Sequence, residues 1–479
     1  MKSYDIIIIG GGVVGTAIAR EFSRYKFSIA LLEKEAELAF GVSKSNSGII
    51  HPGTQINANL LKGKLCVQGN ILIRELARDL GVDFKEVGEL IVAFDEPERS
   101  RLYELKSEAE ILGVPGLEIV RQDWLRIKEP NLSKDVIAAL YAPTAGIISP
   151  YRLVYDLSEN AKKNGVDFFT NSKVINIEKE NNGFIVNIGT GSFKSKYVIN
   201  AAGLYADDIA IMVGIDDINI RPRKGEEFLL DKKLHNITNH LIFPLPTKTS
   251  KGIIVIKTSD GNPMIGPTAE DVEDKEDVGT TEAGFNNVLN GVKKMVPTIK
   301  ENDVIAYFAG LRPVAGDDFI IRYEKTVPGF VNVAGIQSPG LTAAPAIAVM
   351  VINILKENGM VLQKKQKFIN ERKKTLHLFS LPMPEAKQII ENDEAYGDIV
   401  CRCEMVSAKE IREAINRGAT TLDGIKFRTR AQAGRCHGGF CTTRLMKILA
   451  EETSQLFTEV NKRGKGSEII KEDRADERT

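Results

Sequence analysis

Four of the five cysteines lie close together near the end of the chain, and their spacing limits the chemistry that they can do. One residue separates Cys401 from Cys403, and four residues separate Cys436 from Cys441. Zinc sites usually place two to four residues between paired ligands, so a start of Cys-x-Cys suits zinc poorly. Four thiolates at this uneven spacing favour a [2Fe–2S] cluster, with structural zinc as the alternative.

The residues around these cysteines suggest how such a cluster would be supported. His437, beside one cysteine, is expected to be a surface residue or an outer hydrogen-bond donor rather than a ligand. Cys66 stands alone in a helical stretch and is expected to be a small buried apolar residue. Arginines are expected to offset the charge of an all-thiolate cluster and to donate hydrogen bonds to its sulfurs, namely Arg402, Arg428, Arg430 and Arg435.

A glycine pattern at the start of the chain indicates a second kind of chemistry. Gly10, Gly12 and Gly15 follow an apolar run over residues 4–9 and precede a helical pattern, and Glu33 ends the next predicted strand. This is the context of a dinucleotide site, in which a helix N-terminus faces the phosphates and the carboxylate accepts hydrogen bonds from a ribose. A carboxylate there would repel a 2′-phosphate, which disfavours NADP.

The glycine pattern alone does not separate FAD from NAD. Its position at the extreme N-terminus and a second glycine cluster before a late helix both favour FAD, because a second helix N-terminus can reach the flavin end of an extended cofactor. A third strand end, in VINAAGLYAD, is expected near the nucleotide. The residues concerned are Gly335, Gly340, Leu341 and Thr342 in the second cluster, and Ala202 and Gly203 at the strand end.

Length and patterning place these motifs in an α/β protein of several domains. The chain has 479 residues, too many for one core, and its 64 basic and 64 acidic residues give no field that would attract nucleic acid. Strand and helix patterns alternate except over about 211–309, where Pro- and Gly-rich connections predict an antiparallel sheet. We expect a Rossmann-type FAD-binding domain, an inserted antiparallel-sheet substrate domain and a small helical [2Fe–2S] module.

The expected boundaries follow from these shifts in pattern. The oxidoreductase part covers 1–356, a linker 357–395, the cysteine module 396–453 and a charged, mobile tail 454–479. Within the first part, the FAD-binding domain is discontinuous over about 1–88, 150–210 and 307–356, and the substrate domain takes about 89–149 and 211–306. No segment is expected to cross a membrane, no signal peptide is expected, and the predicted localisation is cytoplasmic.

Several motifs resemble known families. Residues 1–355, with the fingerprint, KSNSGIIHPG, NAAG, GNPMIGPT, AGLRP and GIQSPGLT, resemble FAD-dependent oxidoreductases of the D-amino-acid-oxidase-like superfamily. The first 150 residues resemble L-2-hydroxyglutarate dehydrogenases, whereas the two-part layout resembles the large subunit of anaerobic-type glycerol-3-phosphate dehydrogenases. The segment from Cys401 to Cys441, with a helix in SAKEIREAI, resembles bacterioferritin-associated-ferredoxin modules. The resemblance implies cofactor contacts from Ser45, Asn46, Ser47 and Gly310.

Three residues are candidates for catalysis. His51, in SGIIHPG, is the candidate base for a hydroxyl proton, with a solvated loop histidine as the alternative. Arg312, in AGLRP, resembles the family's arginine that grips the substrate anion, and the alternative is an ion pair with Asp317 or Asp318. Lys257 is a candidate second cation, and Lys224 is a comparable one.

These residues and resemblances together predict an FAD-dependent dehydrogenase for a small anionic substrate. The leading expectation is oxidation of sn-glycerol 3-phosphate, with electrons leaving through the cluster to a partner protein such as a flavin or NADH oxidoreductase. The alternatives are L-2-hydroxyglutarate or another 2-hydroxy acid, an amine or imino acid, and a subunit without catalysis that keeps FAD as a structural group.

Overall fold

The fold described here is that of a computed structural model, which describes residues 1–247 and 251–470. Its strands, in chain order, are β1 (Lys2–Ile9), β2 (Ile29–Leu32), β3 (Ile49–Ile50), β4 (Lys85–Glu86), β5 (Glu89–Ala93), β6 (Glu118–Arg121), β7 (Ala138–Ala142), β8 (Gly146–Ile147), β9 (Val166–Phe169), β10 (Asn176–Glu180), β11 (Gly183–Asn187), β12 (Ser192–Asn200), β13 (Arg221–Leu230), β14 (Leu241–Phe243), β15 (Ile254–Lys257), β16 (Pro263–Gly266), β17 (Glu270–Asp271), β18 (Val304–Val314), β19 (Ile320–Tyr323), β20 (Phe330–Ala334), β21 (Ile399–Cys401) and β22 (Val406–Ser407).

The α-helices lie between these strands and after them. In chain order they are α1 (Val13–Phe22), α2 (Leu61–Leu80), α3 (Glu96–Ile111), α4 (Gln122–Lys128), α5 (Pro150–Lys163), α6 (Ala206–Ile211), α7 (Glu282–Met295), α8 (Gly340–Glu357), α9 (Met383–Asn392), α10 (Ala408–Asn416), α11 (Leu422–Thr429) and α12 (Thr442–Thr453).

The first sheet has a parallel centre. Strands β9, β2, β1, β12 and β20 lie side by side and parallel, and the antiparallel strands β10, β11 and β19 extend the sheet at its edges. Strand β1 reads as an unbroken apolar run because helices cover both faces of its sheet. The residues Ile6 and Ile8 face the core that contains α1, α5 and α8, while Ile7 and Ile9 face the core that contains α6. The expected Rossmann-type domain is confirmed.

The second sheet forms the body of the inserted domain. Its strands run in the order β17-β13-β16-β15-β14-β5-β7-β6, and β18 pairs with β13 along almost its whole length. The sheet is antiparallel except for one pair, because β14 runs parallel to β5. This pair joins the two separate stretches of chain that contribute to the domain. The expected antiparallel sheet of the inserted domain is confirmed, with this one parallel pair as an exception.

Among the described residues, helix α8 is the one helix with the length and composition of a membrane span. Gly340–Glu357 is long and apolar enough, by length and composition, to cross a bilayer. However, 61% of this window is buried inside the protein, where Ile347, Val351 and Leu355 belong to the core shared with α1 and α2. Its apolar character is therefore explained by packing inside the first domain.

The segment after α8 lies along the surface of the first domain before it reaches the cysteine module. Lys26 N–H donates to the Gln363 carbonyl at 2.8 Å, and the buried Arg372 pairs with Asp156 at 2.8 Å and with Glu159 at 2.7 Å. The module then packs its own core between α10, α11 and α12. The chain beyond 453 is not a free tail up to residue 470, because Val460 is fully buried in that core; residues 471–479 lie outside the described residues.

Candidate active site and cysteine centre

The glycine turn between β1 and α1 is built for close approach of a ligand to the backbone. Gly10 has φ of +111°, and a Cβ atom there would lie 2.3 Å from the Ala201 carbonyl oxygen. A Cβ atom at Gly15 would lie 2.0 Å from the Gly10 carbonyl oxygen, so only glycine lets α1 pack this closely on the turn. The residues at the start of α1, Gly12, Val13 and Val14, line an open space, and the Val13 N–H donates to Oγ of Ser43 at 3.0 Å.

A cavity of about 710 Å³ extends from this turn to the inserted domain. Its volume lies within the usual range for sites that enclose a cofactor. Glu33 lies at one end, where its carboxylate accepts N–H groups from Gly11 at 2.6 Å and from Glu35 at 2.9 Å. Burial raises the pKa of this carboxyl, and the backbone hydrogen bonds oppose the rise. His51 and Arg312 also line the cavity.

Most of the predicted cofactor contacts line this one cavity. The structure brings together, at its wall, Gly10, Gly12, Glu33, Ser45, Asn46, Ser47, Ala202, Gly203, Gly310, Gly340 and Leu341. Three predicted residues lie next to cavity-lining residues but do not line the cavity themselves, namely Gly15, Gly335 and Thr342. Thr342 is fully buried, and its hydroxyl accepts the backbone N–H of His51 at 2.9 Å. Thr342 therefore anchors the loop that carries the candidate base.

His51 faces a lysine that the sequence did not single out. The Nζ atom of Lys251 lies 3.3 Å from Nδ1 of His51, and both side chains line the cavity. Burial of the ring, with the charge of Lys251 as a second cause, holds the pKa of His51 well below its usual value. Burial likewise lowers the pKa of Lys251. The imidazole is therefore neutral at pH 7, as a proton acceptor must be, and the interpretation as a solvated loop histidine is not supported.

Arg312 lines the cavity but is held there by backbone oxygens. Its Nη2 donates to the Thr268 carbonyl at 2.7 Å and to the Lys224 carbonyl at 3.3 Å. Among the described residues no carboxylate lies within 4.0 Å of the guanidinium, so the alternative of an ion pair with Asp317 or Asp318 is not what the structure contains. Asp318 instead accepts the first N–H groups of α2 at 2.6 and 2.9 Å.

A buried carboxyl group accompanies this arginine. Glu227 also lines the cavity, and burial raises its pKa to about 8, with Arg312 opposing the rise. One oxygen of Glu227 is buried without a hydrogen-bond partner. In the sequence, Glu227 stands between Glu226 and Phe228 in β13, so an acidic residue at the edge of an apolar run was the one signal of its burial.

The two lysines proposed from the sequence, Lys257 and Lys224, do not line the cavity. Lys257 ends β15, pairs with Pro263 across the sheet, and is not among the cavity-lining residues. Lys224 forms an ion pair with Asp277 at 2.8 Å, outside the cavity wall. Lys251, six residues before Lys257, is the lysine that reaches the cavity. Nothing in its local sequence distinguishes it from a surface lysine.

The four cysteines meet as two pairs. Sγ of Cys403 lies 3.6 Å from Sγ of Cys436 at an exposed edge, and the Cys401 and Cys441 thiols are hydrogen-bonded to each other in the core of the module. Two sulfurs bound to one tetrahedral metal at roughly 2.3 Å lie about 3.8 Å apart, so the 3.6 Å between Cys403 and Cys436 is close to the spacing of two ligands to a single iron. The helix expected between the cysteine pairs is confirmed as α10, with a capping box between Ser407 and Glu410.

Among the described residues, no group of three or more His, Cys, Asp or Glu side chains is placed to hold a single metal ion. Two separate pairs of sulfurs fit a binuclear cluster, in which each iron takes two cysteines.

The arginines near the cysteines have a different role from the one expected. Arg428 pairs with Glu37 at 2.9 Å, Arg430 donates to Asn262 at 2.9 Å, and Arg435 pairs with Asp231. These three side chains hold the module against both other domains instead of reaching the sulfurs. Their partners lie at least 168 residues away in sequence, so no local pattern could have indicated them.

Comparison with known proteins identifies the family. The pattern that defines FAD-dependent oxidoreductases of the DAO type matches residues 5–354, and that of the BFD-like [2Fe–2S] binding domain matches residues 399–451. The chain belongs to the DAO family of FAD-dependent oxidoreductases. Its cofactors are FAD, which fits the cavity, and a [2Fe–2S] cluster, which fits the four cysteines.

Three relatives show how similarity is distributed. A glycerol 3-phosphate dehydrogenase of Caloramator mitchellensis is 43% identical over 98% of both chains. The solved structure of dithionite-reduced L-α-glycerophosphate oxidase from Mycoplasma pneumoniae with FAD bound is 35% identical, with a TM-score of 0.73, and covers 78% of this chain and 98% of its own. Human mitochondrial L-2-hydroxyglutarate dehydrogenase is 33% identical over 56% of this chain and 61% of its own.

Proposed function

We propose that this protein is an FAD-dependent dehydrogenase that oxidises sn-glycerol 3-phosphate to dihydroxyacetone phosphate. The observation that carries the proposal is one cavity beside the dinucleotide cradle whose wall includes a contacting histidine and lysine, His51 and Lys251, and an arginine, Arg312. A glycerol 3-phosphate dehydrogenase is 43% identical over 98% of the chain, which supports this choice over L-2-hydroxyglutarate, because the L-2-hydroxyglutarate dehydrogenases are 27–33% identical over 56–74% of the chain.

The polar side chains of the cavity divide the work on such a substrate. His51 accepts the proton of the C2 hydroxyl on a ring nitrogen, because its lowered pKa keeps the imidazole neutral. Arg312 and Lys251 bind the phosphate, since a planar guanidinium and an ammonium can share the oxygens of one dianion. The carbonyl oxygens that hold Arg312 fix the guanidinium before the substrate arrives.

The two cofactors supply the electron chemistry. FAD, when bound, accepts a hydride from the substrate carbon, and the [2Fe–2S] cluster, when bound, carries single electrons. The residues from Gly10 to Gly15 and Glu33 would hold the adenosine half of FAD, and Ser45, Asn46 and Ser47 line the path toward the catalytic groups. The four cysteines would hold the cluster, with Cys403 and Cys436 at the exposed edge.

The destination of the electrons is a separate protein under this proposal. The exposed position of Cys403, with the 87% exposed Phe440 close to Cys436 in sequence, leaves one edge of the cysteine centre accessible to an acceptor protein. We place the enzyme in the cytoplasm, where thiolate ligands stay reduced and sn-glycerol 3-phosphate is available. The acceptor that we propose is a subunit of the NADH or flavin oxidoreductase class.

The test is anaerobic reduction of the purified flavoprotein by single substrates. The flavin absorbance near 450 nm is followed in a stopped-flow instrument after mixing with sn-glycerol 3-phosphate, L-2-hydroxyglutarate, proline or sarcosine. Rapid bleaching by sn-glycerol 3-phosphate alone is the expected result. Rapid bleaching by another compound, with none by glycerol 3-phosphate, would replace the proposed substrate. Bleaching by none of them, but by a reduced partner protein, would make the chain an electron-transfer subunit.

A further inference from the structure

The iron–sulfur module is fastened to the FAD-binding domain by one buried carboxylate. Glu37 follows β2 by five residues and is 2% exposed. Its Oε1 accepts the Thr420 N–H at 2.8 Å, and its Oε2 accepts Nη1 of Arg428 at 2.9 Å. The Thr420 and Thr421 hydroxyls lie at 3.3 and 3.4 Å from the same carboxylate. All of the partners of Glu37 thus belong to the module.

The helix that receives this carboxylate is shaped for it. Thr421 caps the N-terminus of α11, where unpaired N–H groups and the helix dipole favour a negative charge. Gly424 stands in the first turn, and a Cβ atom there would lie 2.1 Å from Oε1 of Glu37. A larger residue would push the helix off the carboxylate. The fit therefore involves both domains and is not a chance contact between surfaces.

Aromatic packing surrounds the ion pair on both sides. The Arg428 guanidinium lies 3.7 Å from the centre of the Tyr155 ring, and Phe427 packs against Phe40 and Tyr151 at ring distances of 5.7 and 5.1 Å. Tyr155 in turn donates to the Leu38 carbonyl at 3.2 Å. The contact excludes water from the charged pair, which strengthens the attraction between its members.

The position of α11 determines the position of the cysteine loop. The loop that carries Cys436 and Cys441 begins directly at the end of α11, where Arg430 donates to Asn262 of the inserted domain. On the other side of Glu37, only three residues separate it from Glu33, which lies in the cofactor cavity. One short segment thus contacts the cavity through one carboxylate and the module through the other.

We propose that Glu37 is a positioning residue that fixes the cysteine centre at a constant distance from the flavin site. It touches neither substrate nor cofactor, and it acts through α11. Electron tunnelling falls off steeply with distance, so a module released from Glu37 would receive electrons slowly even when both cofactors are present. The electron-transfer part of this inference rests on the proposed function, whereas the docking part does not.

The experiment compares Glu37→Gln with a matched control in the holoprotein. Glu452→Gln removes a carboxylate that pairs with Arg412 at 3.0 Å inside the module, away from the docking helix. Two quantities are measured for each variant: hydrogen–deuterium exchange in the peptide that contains Thr420, and the stopped-flow rates of flavin and cluster reduction by sn-glycerol 3-phosphate.

For Glu37→Gln we expect exchange at Thr420 to accelerate at least tenfold and cluster reduction to slow at least tenfold, while flavin bleaching stays within twofold of the wild type. The control should change none of these. Unchanged exchange and cluster reduction would overturn the inference, as would an equal loss of flavin bleaching, which would place Glu37 in the cofactor site.

Two further outcomes are distinguishable. If Glu37→Gln does not fold, Arg428→Met removes the charge from the other side while keeping a long side chain on Tyr155, and the same expectations apply. If the wild type is not bleached by glycerol 3-phosphate, the proposed function fails, but accelerated exchange at Thr420 would still support the docking role and unchanged exchange would refute it.

Discussion

Replacing His51 by glutamine tests the role of the candidate base. The substitution should leave the loop in place, because the backbone of His51 is held independently of its ring: its N–H donates to Thr342 at 2.9 Å, and its carbonyl accepts Asn70 Nδ2 at 3.0 Å. Glutamine keeps a polar side chain of similar reach but cannot accept a proton at neutral pH. The variant therefore removes the proton transfer with little change to the fold.

The expected loss follows from the protonation state of the imidazole. A histidine with its ordinary pKa of about 6.5 is already about 90% neutral at pH 7.5, and the pKa of His51 lies well below that. Nearly every wild-type molecule thus holds an active base, so the whole contribution of general-base catalysis is lost in the variant. That contribution is typically 10²–10⁴-fold, or about 2.7–5.4 kcal/mol in the activation barrier.

The assay is anaerobic stopped-flow reduction of the flavin at pH 7.5, over a range of sn-glycerol 3-phosphate concentrations. The limiting rate should fall by at least a hundredfold, while the concentration giving half the limiting rate changes less than threefold. The ratio of the wild-type reduction rate to that of the variant should stay constant from pH 8 down to 6.5 and fall only at lower pH, as the ring becomes protonated. A loss smaller than tenfold would refute the assignment of His51 as the base.

Three other changes test separate parts of the account. Arg312→Lys removes the planar donor pair of the guanidinium. Because charge-assisted hydrogen bonds contribute about 1.5–3 kcal/mol, we expect substrate affinity to fall about 10- to 150-fold with FAD content unchanged. Unchanged affinity would show that the phosphate binds elsewhere. Cys436→Ser should abolish the electron paramagnetic resonance signal of the reduced cluster while substrate-driven flavin bleaching stays within twofold; joint loss of both would mean that the two parts fold as one unit. Burial raises the pKa of Glu227 from 4.5 to about 8, so the stability that its protonated form contributes is complete below pH 4.5 and is lost as the pH rises toward 8. Melting temperatures of Glu227→Gln should consequently fall less than those of the wild type between pH 5 and 8, and parallel curves would contradict the raised pKa.

Local sequence was sufficient for the parts of this protein that local geometry determines. Gly15 must be glycine because a Cβ atom there would meet the Gly10 carbonyl five residues earlier, so the glycine spacing between a strand and a helix indicated a cradle for phosphates. The cysteine spacing indicated the cluster, although the pairs that form, Cys403 with Cys436 and Cys401 with Cys441, each join one cysteine from either motif. The covering of both faces of β1 was also readable from its unbroken apolar run.

Contacts between distant segments could not be read from the sequence. Lys251 reaches the cavity, and Lys257 does not, because of how the strands of the inserted sheet are placed against the first domain. The arginines of the module were assigned to the cluster because proximity in sequence was the available guide. The partners described above, Glu37, Asn262 and Asp231, lie on other domains, and Glu37 is 391 residues from Arg428. Tertiary packing, rather than residue type, decided these roles.

The central claim is that one chain takes electrons from its substrate at the flavin site and delivers them to its own cysteine centre. Its most direct test is to mix the anaerobic holoprotein with sn-glycerol 3-phosphate alone, freeze the sample after the flavin has bleached, and record its electron paramagnetic resonance spectrum. We predict the signal of a reduced [2Fe–2S] cluster, absent from an unmixed sample. A bleached flavin together with a cluster that dithionite reduces but the substrate does not would contradict the claim.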